Sequence, residues 1–241
     1  MSGLDNTGIA RFKELAESVP NGAYHLAELE IALTPADPRH YLPSIPIGAK
    51  VLDIGCGAGQ TLMAACPYQV TGEGGQCLPC SRESCPTWGY GVDIDEDAVA
   101  LGRAWSRRLV LIQGNAARLP YGDDEFDMVI SRVALIFVDM QEAVAEMRRV
   151  LRPGGKIWLG LHPFSMVFSQ VPSRSWKGLF YLTYVAINGL FFTLTLGTFS
   201  LFHRREYWQT GSAMRRILSK AGFRNINVQR GPKRLIVSAE L

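Results

Sequence analysis

The chain has 241 residues, enough for one α/β domain with elaborations that buries about 70–75% of its unfolded surface. With 47% hydrophobic and 20% charged residues it reads as globular, which excludes a disordered chain. The net charge of +3 is spread over scattered Lys and Arg and short pairs such as Arg107-Arg108, so no basic block of a nucleic-acid binder is present. The first residues hold no apolar signal-peptide core, and a cytoplasmic location is the expectation.

Ile9, Phe12, Leu15 and Ala16 line one side of a short helix that stops before Pro20-Asn21-Gly22. Residues 24–33, apolar at 26, 29 and 33, predict a second helix ending at Thr34-Pro35. Together, residues 1–49 form a predicted helical cap, linked by the proline-rich stretch 36–48 to the remainder, 50–241.

The central stretch is KVLDIGCGAGQ, residues 50–60. Val51, Leu52 and Ile54 predict a buried strand, and the three glycines at alternate positions predict a tight turn into a helix from Thr61. Strand, glycine turn and helix N-terminus make a cofactor cradle in an open α/β sheet. The dinucleotide fingerprint fails, because position 60 is Gln where a third glycine is required. No Lys-Ser or Lys-Thr follows the glycines either, which excludes a phosphate-binding P-loop. Asp53, a carboxylate within the strand, is costly unless N–H groups or a cation answer it; a bound ammonium would.

Strands are predicted at 90–94, 109–112, 126–131 and 156–161, and two closing strands at 224–229 and 235–239, joined by Gly231-Pro232. Asp95 caps a predicted helix over 96–108. Asp139 and Glu142 form a capping-box-like start to another, ended by Pro153-Gly154-Gly155. Residues 213–220 predict the last helix. The alternation predicts an α/β, Rossmann-like fold: a mostly parallel seven-stranded sheet with an antiparallel edge strand and helices on both faces.

Taken in order, VLDIGCGAG (51–59), GVDID (91–95), GNAARLPYGDDEFDMVIS (114–131), EMRRVLRPGGKIWL (146–159) and ILSKAGF (217–223) resemble the class I S-adenosylmethionine-dependent methyltransferases, in their small-molecule methyltransferase-domain branch. The resemblance implies S-adenosylmethionine as cofactor. Its methionine end lies over Gly55, Cys56 and Gly57, with Asp53 helping to hold that loop and facing the amino-acid moiety. Asp93 accepts from the ribose hydroxyls and the neighbouring Ile94 joins the cofactor contacts. Asn115 and Ala116 meet the adenine, and Ser131 and Arg132 lie under the methionine and sulfonium. Asn115 departs from the family's usual Asp, and Gly55 and Asp93 stand 38 positions apart where about 20 is usual.

The surplus is a Cys-rich insert at 66–89. Cys66, Cys77, Cys80 and Cys85 fit a structural zinc site, while an iron–sulfur cluster, disulfides or free thiols fit the same spacing. A second insert, 163–209, forms a cap after strand five. Within it, residues 178–202 run 25 positions without a charge and are divided by Gly189 and Gly197 into two predicted short helices. Such a cap suits an apolar substrate pocket, peripheral contact with a membrane surface or a homodimer interface. His162, directly after strand five, is the candidate catalytic group that orients or deprotonates an acceptor; Tyr181, Tyr184, His203 and Tyr207 are weaker candidates.

The function expected is methyl transfer from S-adenosylmethionine to O, N or C of an apolar or amphipathic small molecule. The alternatives are a non-catalytic cofactor-binding regulatory module and a metal-organised scaffold that binds partners.

Overall fold

Where apolar side chains run without interruption the strand is buried on both faces, and where they alternate with polar ones it lies at an edge. β1 (Val51–Ile54) is buried at every residue, whereas β3 (Leu109–Gln113) buries Leu109 and Leu111 and exposes Val110. The computed structural model describes residues 6–65, 70–71, 76–77, 89–165, 176–201, 205–231 and 234–241. Seven strands form one sheet, in the order β3, β2 (Gly89–Asp93), β1, β4 (Phe126–Arg132), β5 (Leu151–Leu161), β7 (Arg234–Glu240) and β6 (Arg224–Gly231). The chain divides into two compact units, residues 1–115 with 126–130, and residues 116–125 with 131–241.

In the first unit, β1 is parallel to both neighbours, with Asp53 opposite Gly91 on β2 and Ile130 on β4. β3 extends β2 in parallel. Parallel strands need crossovers, and helices supply them. α1 (Asn6–Ala16), α2 (Gly22–Leu33), α3 (Gln60–Ala64) and α4 (Glu96–Trp105) are the helices of this unit. The carboxylate of Asp95 caps α4 by accepting the N–H groups of Asp97 (3.0 Å) and Ala98 (3.2 Å), as the sequence predicts. α1 docks on α4 by stacking Phe12 against Trp105, ring centroids 4.4 Å apart, and the indole N–H donates to Gly8 O at 2.9 Å.

In the second unit, Asp139 caps α5 (Met140–Val150), accepting from the N–H groups of Gln141 (2.9 Å) and Glu142 (3.3 Å). β5 begins directly after α5 and is longer than the predicted 156–161. Pro153-Gly154-Gly155 lies inside the strand, because Gly154 donates to Leu241 O and Leu241 donates back to Gly155 O, drawing the ladder out to that end. β7 runs antiparallel to β5 and to β6, as expected for two strands joined by a short turn.

The charge-free segment differs from expectation. It holds one helix, α6 (Trp176–Thr195), running through Gly189. A Cβ at Gly189 would collide with the Trp208 indole, so this glycine permits close packing and does not break the helix. Residues 199–201 and 205–209 then lie against α6, and α7 (Gly211–Lys220) follows, capped by the Thr210 hydroxyl, which accepts from Ala213 N–H at 3.2 Å.

Candidate cofactor site

β1 and β2 end side by side, and the chain leaves β1 still bonded to its neighbour. The N–H groups of Gly55 and Cys56 both donate to Val92 O, at 2.7 and 3.2 Å. The loop then turns through positive φ at Gly55 (73°), Gly57 (53°) and Gly59 (83°), a region that costs side-chain-bearing residues strain. At Gly59 a Cβ would also stand 2.6 Å from Leu109 Cδ1. The backbone therefore favours glycine at all three positions, and the approach of Leu109 adds to this at Gly59.

The loop is tied to Asp93, the last residue of β2. Gly57 N–H donates to Asp93 Oδ2 at 2.7 Å and Asp95 N–H donates to Oδ1 at 3.0 Å. One backbone donor on each oxygen fixes the plane of the carboxylate, and each oxygen keeps a second lone pair for a ligand. A pair of adjacent hydroxyls is the donor set that this geometry suits. Beside it, Ile94 is 74% exposed, an apolar surface at the strand end. Gln113 holds that turn by donating from Nε2 to Ile94 O at 3.2 Å, and Gly114 N–H donates to Asp93 O at 2.8 Å.

Asp53 is buried within β1. Cys56 is buried as well, and burial, with Asp53 and Asp93 nearby, pushes its thiol well above the ordinary range. It is a neutral packing group and not a nucleophile.

Two residues here escaped the sequence reading. His25, on α2, and Gln60, at the start of α3, are both buried and face each other beside the loop: Gln60 Nε2 donates to His25 O at 3.2 Å and lies 3.3 Å from His25 Nδ1. The amide can only donate, so Nδ1 accepts and the imidazole proton sits on Nε2. Burial lowers the His25 pKa, against the opposite pull of Asp95, Asp93 and Glu28. The available signal was a polar residue on the buried stripe of α2, in line with Leu29 and Ala32.

In the second unit, Ser131 and Arg132 end β4, with Ser131 fully buried. Val133 follows at φ 65°, unusual for a β-branched residue, its N–H donating to Gly160 O at 2.8 Å. His162 leaves β5 and is stitched to Gln209: its N–H donates to Gln209 Oε1 and Gln209 N–H donates to His162 O, both at 2.9 Å. Desolvation lowers the His162 pKa from 6.5 to about 4, so the ring is neutral near pH 7. Its Nδ1 is buried without a hydrogen-bond partner among the described residues.

The methyltransferase-domain profile Methyltransf_11 matches residues 71–159. The demethylmenaquinone methyltransferase of Shouchella clausii (strain KSM-K16) is 34% identical over 119 residues, 47% of this chain and 45% of its own length. That of Staphylococcus saprophyticus subsp. saprophyticus is 25% identical over 193 residues, covering 77% of this chain and 75% of its own. Three relatives at 33–34% identity are spanned over only 40–45% of their length. The crystal structure of an S-adenosylmethionine dependent methyltransferase from Mesorhizobium loti matches the fold with a TM-score of 0.55 at 19% identity, over 94% of this chain and 100% of that one.

In profile, relatives and fold, this chain is similar to the class I S-adenosylmethionine-dependent methyltransferases.

The first unit brings together Gly55, Cys56, Gly57, Asp93 and Ile94, with Asp53 directly before the loop and an exposed Asn115 after β3. Ala116, Ser131, Arg132 and His162 belong to the second unit. Tyr207, expected as a weak catalytic candidate, is buried and donates its hydroxyl to Leu135 O (3.3 Å) and Val138 O (3.0 Å), which makes it a packing residue. Tyr184 likewise donates to Phe199 O at 3.1 Å, and Tyr181 donates to Glu206, whose carboxyl pKa burial raises. His203 lies outside the described residues.

Cys66, Cys80 and Cys85 also lie outside them, and Cys77 is placed only as part of a short antiparallel ladder, opposite Val70. Among the described residues no group of three or more His, Cys, Asp or Glu could hold a metal ion. The zinc expectation rests on cysteine spacing alone.

Proposed function

We propose that the chain transfers a methyl group from S-adenosylmethionine to an O, N or C atom of an apolar or amphipathic small molecule. The observation that carries this reading is the Asp93 carboxylate, held by Gly57 N–H on one oxygen and Asp95 N–H on the other, at the mouth of a left-handed glycine loop. A ribose diol fits the free lone pairs of Asp93, an adenine ring face fits the exposed Ile94, and the loop's two side chains, Cys56 and Ala58, are buried. When bound, S-adenosylmethionine supplies a methyl group on a sulfonium, already activated for in-line displacement.

The protein's own task is then alignment, which lowers such a barrier by several kcal/mol without a metal or a triad. Asp53, Gly55, Cys56, Gly57, Asp93, Ile94 and Asn115, with Ala116, Ser131 and Arg132, are the cofactor-binding set of this reading. His162 is its acceptor-side group. Held neutral by burial, on a backbone that Gln209 ties at both N–H and C=O, the imidazole can accept a proton or a hydrogen bond through Nδ1. The acceptor named for several relatives, demethylmenaquinone, is an apolar quinone and is the first acceptor to try.

Isothermal titration with S-adenosylhomocysteine tests the cofactor half: micromolar binding is expected, and none at all would remove the proposal. Incubating cofactor with reduced demethylmenaquinone tests the acceptor half through the methylated product. Metal analysis of the same preparation addresses the cysteine quartet, with one zinc per chain as the expected result.

A further inference from the structure

α6 has two faces that the charge-free sequence conceals. Tyr184, Val185, Asn188, Gly189 and Phe192 are buried. On the opposite side, Leu179, Phe180, Ile187, Leu190, Phe191 and Leu194 are 42–67% exposed, following Trp176, which is 74% exposed. These positions recur at intervals of three and four, so they form one stripe along a helix of 20 residues, about 30 Å long. A continuous exposed apolar face of this length marks a contact surface.

The stripe asks nothing of water. Its one polar member, Thr183, donates its hydroxyl to Leu179 O at 2.9 Å, and the neighbouring Thr195 donates to Phe191 O at 2.8 Å. The carbonyls of Thr193 and Leu194 at the helix end, which would otherwise face solvent, are taken by the Arg216 guanidinium. The charges that flank the stripe are cations: Lys177 beside the Trp176 ring at one end and exposed Arg216 at the other. Residues 176–205 contain no acid, and Glu206 is turned toward Tyr181.

An apolar stripe with self-satisfied hydroxyls, an aromatic anchor and cationic ends has the chemistry of an interfacial helix on anionic lipid. The geometry points to α6 as the surface by which this protein lies on an anionic bilayer. By length and hydropathy α6 also qualifies as a spanning helix. Its buried face argues for the plane of the interface: Asn188 is bonded to the backbone at Phe199 and Glu206, and Gly189 packs on Trp208. Crossing the bilayer would break all of these contacts. The membrane contact does not depend on the methyltransferase reading.

Flotation of the full chain with vesicles of phosphatidylcholine alone, or mixed with phosphatidylglycerol, tests it, beside the double variant Leu190→Glu/Leu194→Glu. The wild type should float with the mixed vesicles and partition less onto phosphatidylcholine alone. The variant, with an unchanged circular dichroism spectrum, should lose partitioning on the order of tenfold. A wild type that stays in solution at every lipid concentration, or a variant that floats equally well, overturns the proposal. So does a wild-type dimer that the variant converts to monomer without any vesicle binding, since the stripe would then meet a second copy. If the variant misfolds, Lys177→Glu serves instead: it should weaken binding to the mixed vesicles only, and an unchanged preference for them counts against the proposal.

Discussion

The glycine loop at 55–59 and the return segment at 199–201 and 205–209 are both laid against regular structure, yet they are secured in opposite ways. The loop is held by its own N–H groups, donated to Val92 O and to one carboxylate a strand away. The return segment is held by side chains of α6. Asn188 donates to Phe199 O (2.9 Å) and Glu206 O (3.0 Å) and accepts Phe199 N–H (3.0 Å), and Tyr184 adds a bond to Phe199 O. Backbone tethers leave a surface bare for a ligand. Side-chain staples fill the space they hold, which suits a structural cover.

The largest test of this contrast is Asn188→Leu, which leaves Glu206 O and Phe199 N–H unpaired, leaves Phe199 O with only the Tyr184 hydroxyl, and removes a fully buried amide's bonds. A loss of about 3 kcal/mol or more is expected from urea denaturation. A loss below about 1 kcal/mol would mean that the return segment is secured otherwise.

Acid should act on the second unit through His162. Its folded pKa of about 4 lies below the ordinary 6.5, so between these values the unfolded chain binds more protons. Stability is present above pH 6.5 and lost as pH falls toward 4, on the order of 3 kcal/mol. His162→Gln should flatten that part of the profile, leaving the share of His25, whose pKa is displaced in the same direction, and the opposing share of Glu206, whose pKa burial raises. A profile as steep as the wild type's would show that His162 is not the titrating group.

In the loop, Asp93→Ala should weaken S-adenosylhomocysteine binding by about 2–3 kcal/mol, the worth of charged hydrogen bonds. Calorimetry reads it directly, and unchanged affinity would remove the diol assignment. The smallest effects are expected at the helix caps, Asp95→Ala in the first unit and Asp139→Ala in the second, at about 1 kcal/mol each. Asp139 also pairs with Arg205 at 3.0 Å, so its loss should exceed that of Asp95 by a few tenths of a kcal/mol, about the worth of a half-exposed ion pair. Equal losses in thermal unfolding would set the ion pair at zero.

The cradle was legible in the sequence because its contacts are short-ranged or set by strand adjacency. Gly55, Gly57 and Asp93 announce themselves by residue type at the ends of apolar runs. His25 and Gln60 did not, because their meeting depends on where α2 lands, and the polar position on the buried stripe of α2 does not by itself name its partner. The 178–202 run was misread as two helices for a similar reason: Gly189 has the look of a breaker until Trp208, far along the chain, is placed against it. The cysteine quartet lies largely beyond the described residues and stands where the spacing left it.

By itself the sequence determined the alternation of strands and helices, the Asp95 and Asp139 caps and the glycine turn after β1, while the bond from Gly57 N–H to Asp93 came from β1 and β2 lying side by side. Those features depend on backbone preferences and on partners a few residues away or one strand over. Only the tertiary structure decided which face of α6 is buried, which tyrosines are occupied by carbonyls, and that His162 is held neutral. Each of these is set by burial, and burial is a property of neighbours that the chain brings in from far away.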